Sequence, residues 1–581
     1  MEPIPQLLET LTPKQFGEKG HIEYGWSNDI REKILQWSFQ LVRTMEENMF
    51  KLERIYYDLL YDLTIKYKFD DSKTSLEKEI AFHLLKILYK MIGQVRDIVD
   101  GKGEYTLSYM MIYSWYFISP ELACFALKSL ITTEEQVFKP YGSWKDMKYF
   151  CNFCKSRGLP KEHLLITYTV KLINEQLRID DDSNKNKNKQ NISLVAKWIP
   201  REKSNKFGWM FELLAKDYFP QYMETAISSE KVMKAINKCK MEYRVIISCL
   251  NKLLKTPEVK QCNQEWSTIN FSLVPSSSLF KNNAAFLNTK NNISEDRVKT
   301  AENFRKFIEE NKTKEIKGTT IDLKEFTKKA FQLLDIKTKE NQVQVQVQID
   351  LLNAQWRSSS LKNEPLGNMI AMVDVSENMC NNSYAGIGLG IRIAEKSSLG
   401  KRIMTFSNCP EWINLESEDT FTNMIKKIKI SNTEFGTNAN FYTALEMILN
   451  TIVEVKMTPE YVQDLMLVII SDMQFDLQKE NNYLYSNIKK KYEETGIKMY
   501  GKAFKPPHIL FWNLNYNEGF PCISNQSNCS MLSGYNTNFL NIFSKHEENN
   551  SVSSSSPWSI FLKSLQNKRY QILEKKFVEV F

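Results

Sequence analysis

The chain has 581 residues, too many for one ordinary core, and its 42% apolar content rules out a disordered polymer, so two or more domains are expected. The net charge of +8, from 77 basic and 69 acidic residues, is a mild bias that excludes a histone-like polycation and permits contact with RNA without demanding it. The N-terminal MEPIPQLLETLTPKQ lacks a basic-then-apolar signal pattern, and no apolar run reaches membrane-spanning length. A soluble, cytoplasmic protein without membrane contact is therefore expected.

The first third reads as helix after helix. Residues 27–67 carry apolar side chains at three-and-four spacing, and so do KEIAFHLLKILYKMIGQVRDIV, LSYMMIYSWYFISPELACFALKSLI and KEHLLITYTVKLINEQLRI. Pro, Gly and polar clusters punctuate them at intervals that fit paired antiparallel helices, an all-α helical-repeat (HEAT-like) region over residues 1–280. DDSNKNKNKQN (181–191) reads as an exposed polar loop. Residues 281–365 read as a polar and charged helical linker or insert. Within it QVQVQVQID (342–350) alternates strictly, as a half-buried strand or a polar linker would.

From 366 the grammar changes. The runs MIAMVDVS, KRIMTFS, DLMLVIISDMQF, HILFWNLN and CSMLSG are short, apolar and separated by helical patterns. Strand alternating with helix predicts a doubly wound, mostly parallel sheet over 366–545, giving a multidomain α plus α/β chain. Residues 546–581 are expected to form a polar linker and a final amphipathic helix. That helix is expected to return to the helical domain, so that deleting residues 557–581 lowers thermal stability.

The chemistry concentrates at one strand end. In MIAMVDVSENMC (369–380) the strand runs into Asp374-x-Ser376-x-Asn378. Alternate residues on an extended loop point their oxygens the same way, which suits a hard divalent cation such as Mg²⁺. A second strand ends in Ser471-Asp472, and Thr437 and Asn438 precede the helix between the two. GIGLG (386–390) is misplaced for a nucleotide loop and fits small residues on a helix packed against the sheet. Of ten cysteines only Cys151-x-x-Cys154 has ligand-like spacing, with no second pair or nearby His, so reduced thiols are expected. No Ser/His/Asp or Cys/His set is visible, and a non-enzymatic protein is expected.

The order of these strand-end residues resembles the von Willebrand factor A (vWA) fold and its metal-ion-dependent adhesion site. The resemblance implies Asp374, Ser376, Asn378, Thr437 and Asp472 as ligands of Mg²⁺ or a similar ion, whose open position takes the carboxylate of a protein partner. Asn378 stands where the family has its second Ser, and the family's Thr position falls on Ala439. Either the loop bulges to bring Thr437 in, or that ligand is absent. The alternative is a degenerate site in which Asp374 and Asp472 cap polar turns.

VRDIVDGKGEYTLSYMMIYSW (95–115) and YGSWKDMKYF (141–150) resemble the TROVE module of the Ro autoantigen family. Read alone, Arg96 and Asp97 pair or cap, the glycines turn the chain, and Trp144 anchors a helix with Asp146 near its start. AKWIPREKS (196–204), residues 242–279, FGTNANFYTALEMIL (435–449), IISDMQFD (469–476), FWNLN (511–515) and LSGYN (532–536) resemble an uncharacterised family joining a TROVE-like region to a vWA-like domain. The Ro resemblance implies a scaffold for structured or misfolded RNA. Its candidate contacts here are Lys102, Lys145, Lys148, Lys197, Arg201 and Lys203, interleaved with Trp144, Trp198, Phe207 and Trp209. The alternative is a monomeric protein–protein scaffold that acts through the vWA crevice without RNA.

Overall fold

The central strands of the C-terminal half are buried along nearly their whole length, as a sheet covered on both faces requires, and successive side chains enter opposite cores. The computed structural model describes residues 8, 10–132, 138–186, 192–318, 321–336, 342–431, 440–475, 484–544 and 555–581. A two-stranded hairpin, β1 (Lys14–Phe16) and β2 (Ile22–Tyr24), precedes the helices. The six-stranded sheet comprises β3 (Asn368–Asp374), β4 (Arg402–Phe406), β5 (Glu411–Asn414), β6 (Leu465–Ser471), β7 (His508–Asn513) and β8 (Cys529–Ser533). Its spatial order is β5-β4-β3-β6-β7-β8, parallel except for the edge strand β5. Five of these strands lie on the apolar runs; β5, on EWIN, went unread.

On β3, Ile370 and Met372 join one core while Ala371 and Val373 join the other. The second core includes the helices Leu323–Leu334, Ser383–Lys396 and Phe421–Ser431. Gly390 explains the GIGLG spacing: a Cβ there would lie 2.6 Å from Val373, so the glycine lets the helix approach the strand. Its role is packing.

QVQVQVQID is neither strand nor linker. It opens the helix Gln342–Ser360, whose Leu351 and Ala354 enter one cluster while Leu352 and Trp356 enter the sheet core. Gln is a good helix former, and Val343 is exposed, so tertiary burial further along the helix overrides the local alternation.

The N-terminal half is mostly helical. The periodic stretch 27–67 divides into Ile30–Phe39 and Glu46–Thr64, followed by a π-turn at Ile65–Phe69. At the break, Gln40 reaches the sheet domain: its Nε2 donates to Asn517 Oδ1 at 2.8 Å, and its Oε1 accepts from Asn517 N at 3.0 Å. The first core runs without interruption from these helices onto the sheet. Among the described residues no helix is long and apolar enough to cross a membrane.

Glu32 sits in this junction, fully buried, and accepts the Ser524 amide at 2.8 Å. Burial pushes its carboxyl up from 4.5 to about 7. A raised acid contributes stability that is complete below its unfolded value, about 4.5, and is lost as pH rises through about 7. Glu32→Gln is therefore expected to remove about 2–3 kcal/mol of the stability loss between mildly acidic and mildly basic pH. Urea titrations across that range check this; an unchanged pH profile would refute it.

Candidate functional site

The sheet brings Asp374 and Asp472 together because β3 and β6 are parallel neighbours, so their carboxyl ends coincide. Ser471 Oγ bridges them, donating to Asp374 Oδ2 at 2.7 Å and lying 3.4 Å from Asp472 Oδ1. Asp374 Oδ1 accepts the Ser376 amide at 2.9 Å, and Asp472 Oδ1 accepts the Gln474 amide at 3.1 Å. Both carboxylates are buried. Burial, then the charge of Asp374, pushes Asp472 up to about 7, while burial raises Asp374.

Of the other expected ligands that are described, Ser376 is buried beside the pair and Asn378 is not. Ser376 Oγ is a buried hydroxyl oxygen beside Asp374, on which both its side chain and its amide act, and as an oxygen donor it suits a hard cation. Asn378 is exposed on the 3₁₀ segment Glu377–Asn382. Thr437 and Ala439 lie outside the described residues. No group of three His, Cys, Asp or Glu side chains gathers among the described residues. The charge of Lys19 favours the ionised form of both carboxylates, an influence smaller than that of burial. Two buried carboxylates and one hydroxyl are oxygen donors of the kind a hard divalent cation takes.

The motif residues of the helical half meet in two buried ion pairs. Arg96, at the end of the helix Ser75–Arg96, forks onto Asp146, with Nε to Oδ1 at 2.7 Å and Nη2 to Oδ2 at 2.8 Å. Asp146 also accepts Tyr109 OH at 2.6 Å and the Ser143 amide at 2.8 Å, closing the capping box of the helix Trp144–Ser156. Asp97 takes the guanidinium of Arg569, with Nε to Oδ2 at 2.6 Å and Nη2 to Oδ1 at 2.8 Å.

Gly-Lys-Gly-Glu serves the same junction. Gly101 is pressed against Gln94 O, where a Cβ would lie at 2.0 Å, and Gly103 has φ +74°. Lys102, expected among the RNA contacts, is turned inward: Nζ donates to Ser38 O at 3.0 Å, Leu41 O at 3.2 Å and Ser533 Oγ at 2.6 Å. Burial pushes it down to about 7. With its donors consumed by the protein, it does not serve a phosphate. Glu104 pairs with Arg43 at 3.0 Å.

Three of the other candidate cations converge. Lys145 Nζ lies 5.0 Å from the Tyr149 ring and 6.0 Å from Trp198; Lys148 Nζ lies 4.9 Å from Trp198 and 5.5 Å from Phe207. Lys206 joins them, 5.4 Å from Phe207 and 5.5 Å from Tyr149. Burial, and next the neighbouring charge of Lys281, holds Lys145 below its ordinary value; burial, Lys145 and Arg201 do the same to Lys148. Lys197 is paired with Glu258 at 3.0 Å, and Lys203 is exposed outside the ring contacts. Lys281 and Tyr149 went unread in the sequence because nothing local links 281 to 145.

Residues 368–576, which span the sheet, match the family described as Domain of unknown function (DUF7788). Residues 159–362, in the preceding helices, match Domain of unknown function (DUF2828). The chain is similar to the Uncharacterized protein L728 of Acanthamoeba polyphaga mimivirus, 26% identical over 499 residues, which cover 82% of this chain and 78% of the relative. The two matches and the viral relative support an uncharacterised family in which helices precede a sheet domain.

Proposed function

We propose that the protein is a non-enzymatic RNA-binding scaffold of Ro-like architecture, with a TROVE-like helical half and a vWA-like sheet domain. The observation that carries the reading is the cationic face of Lys145, Lys148, Arg201, Lys206 and Lys281. None of these five forms an ion pair with another described residue, whereas many other surface lysines do. Like charges held together without counter-charges repel one another, and phosphate groups relieve that repulsion. The half-exposed rings of Tyr149, Trp198 and Phe207 stand among these cations and offer stacking surfaces for unpaired bases.

The cleft beside this face, about 310 Å³, is lined by Tyr105, Tyr149, Asn152 and Lys206 together with Glu46, Glu104, Arg43 and Arg157, the two arginines being paired with Glu104 and Glu53. Recognition of this kind reads phosphate spacing and unstacked bases, with little sequence information.

Fluorescence anisotropy with a labelled oligouridine and a labelled RNA hairpin tests the reading. Affinity is expected to fall linearly on a logarithmic salt scale, with a slope near −0.7 for each single-strand phosphate contact. Lys145→Ala and Lys148→Ala are each expected to weaken binding and flatten the oligouridine slope by about 0.7, with an unchanged melting temperature. Absence of binding at low salt, or binding unaffected by both substitutions, would sink the proposal.

A further inference from the structure

The cationic face and the cleft beside it form one surface. Lys145, Lys148, Tyr149 and Asn152 recur at three-and-four spacing along the helix Trp144–Ser156 and so share one side of it. Tyr149 and Lys206 belong to both regions: Lys206 Nζ lies 5.5 Å from the Tyr149 ring, and both residues line the cleft. A strand held by its phosphates on the face therefore passes the mouth of the cleft.

The interior of the cleft does not suit a phosphate. Arg43 is met by Glu104 at 3.0 Å and Arg157 by Glu53 at 2.6 Å, so their charges are already answered. The cleft offers rings and unpaired polar groups instead. The Tyr105 ring, 43% exposed, meets Tyr149 edge-on at 5.9 Å. The Asn152 amide and the Thr106 hydroxyl line the cleft and have no hydrogen-bond partner among the described residues. Thr106 stands in the first turn of the helix Tyr105–Ile118, which has no side-chain cap, so the amides of that turn are donors as well. Glu46, exposed at the start of the helix Glu46–Thr64, adds a carboxylate with no ion pair among the described residues.

We propose that this cleft is a guanine pocket, which takes one unstacked base from the strand held on the cationic face. Of the RNA bases, guanine alone presents two adjacent donors, N1–H and the N2 amino group, to which the Glu46 carboxylate is matched. Its O6 and N7 are acceptors for the Asn152 amide, the Thr106 hydroxyl and the free helix amides. Tyr105 and Tyr149 supply the flat contact that any base accepts, so the rings favour entry and the polar groups choose the base. The volume, about 310 Å³, suits one base and not a stacked pair. The proposal rests on the RNA reading and adds one base of sequence information to it.

The test uses the full chain and labelled oligouridine, alone or with one central guanosine, adenosine or inosine, read by fluorescence anisotropy at low salt. The guanosine oligomer is expected to bind about tenfold more tightly than oligouridine, the gain of one bidentate base contact. Inosine, which lacks the N2 amino group, is expected to lose most of that gain, and adenosine all but the part that stacking supplies. Glu46→Gln and Asn152→Leu are each expected to bring the guanosine oligomer close to the affinity of oligouridine, with an unchanged melting temperature. Equal affinity for the guanosine and adenosine oligomers would overturn the pocket and leave the RNA face standing, and so would a guanosine preference that survives both substitutions. Failure of every oligomer to bind would overturn the RNA reading and the pocket together.

Discussion

Arg569→Ala is expected to lower the unfolding free energy by about 3–5 kcal/mol, the loss that follows when one partner of a buried, forked ion pair is removed. Asp97 is fully buried and would lose the guanidinium that now grips both its oxygens. Arg569 Nη2 also donates to Lys139 O at 3.0 Å, and its own carbonyl accepts Tyr141 OH at 2.6 Å. Behind it the helix Gln571–Val580 lays Leu573 against Gly93 and Phe577 against Phe82, Tyr89 and Trp115, so the loss reaches a whole apolar contact.

Lysine at 569 is not expected to rescue, because a single ammonium cannot fork. Urea denaturation measures the change, and limited proteolysis near the C-terminus reports where the chain loosens. Adding Asp97→Ala to Arg569→Ala is expected to cost less than the sum of the two single changes, since no charge is then stranded. A stability loss under about 1 kcal/mol for Arg569→Ala would refute the role of the clasp.

Asp146→Ala carries the second large effect, expected at about 4–6 kcal/mol: the stranded Arg96 guanidinium accounts for most of it and the lost helix cap for about 1. The substitution also unseats the first turn of the helix that presents Lys145 and Lys148. RNA affinity is therefore expected to fall along with stability. Asp146→Asn, which keeps an acceptor oxygen for the Ser143 amide but loses the ion pair, is expected to retain the cap and lose most of the rest. Equal stability of the Asn variant and wild type would show that the charge of Asp146 is dispensable.

The local halves of these devices are legible in sequence. Ser143 and Asp146 are three apart, the spacing of a capping box, and Arg96 and Asp97 stand at a helix end. Their partners are not legible: Asp146 lies 50 residues from Arg96, and Arg569 lies 472 residues from Asp97. The cationic face shows the same division. Lys145, Lys148 and Arg201 are read from local runs, but Lys102 belongs to one such run and points into the protein. Spacing alone does not say which side of a glycine turn faces water.

The sequence by itself determined the division into helices and sheet, the five apolar strands, the helices between them, and the strand-end carboxylates. Periodicity and burial are local properties, written every two or every three to four residues. Tertiary structure decided that QVQVQVQ joins a helix, because packing of Leu352 and Trp356 outweighs an exposed alternation. It also decided what stands beside Asp374 and Asp472. The N-terminal hairpin, whose turn meets the loop after β6, has strands of three residues, too short for any periodic signal. Its turn docks across the chain, Glu18 N donating to Gln474 Oε1 456 residues away, a contact placed by the fold and not by neighbours in sequence.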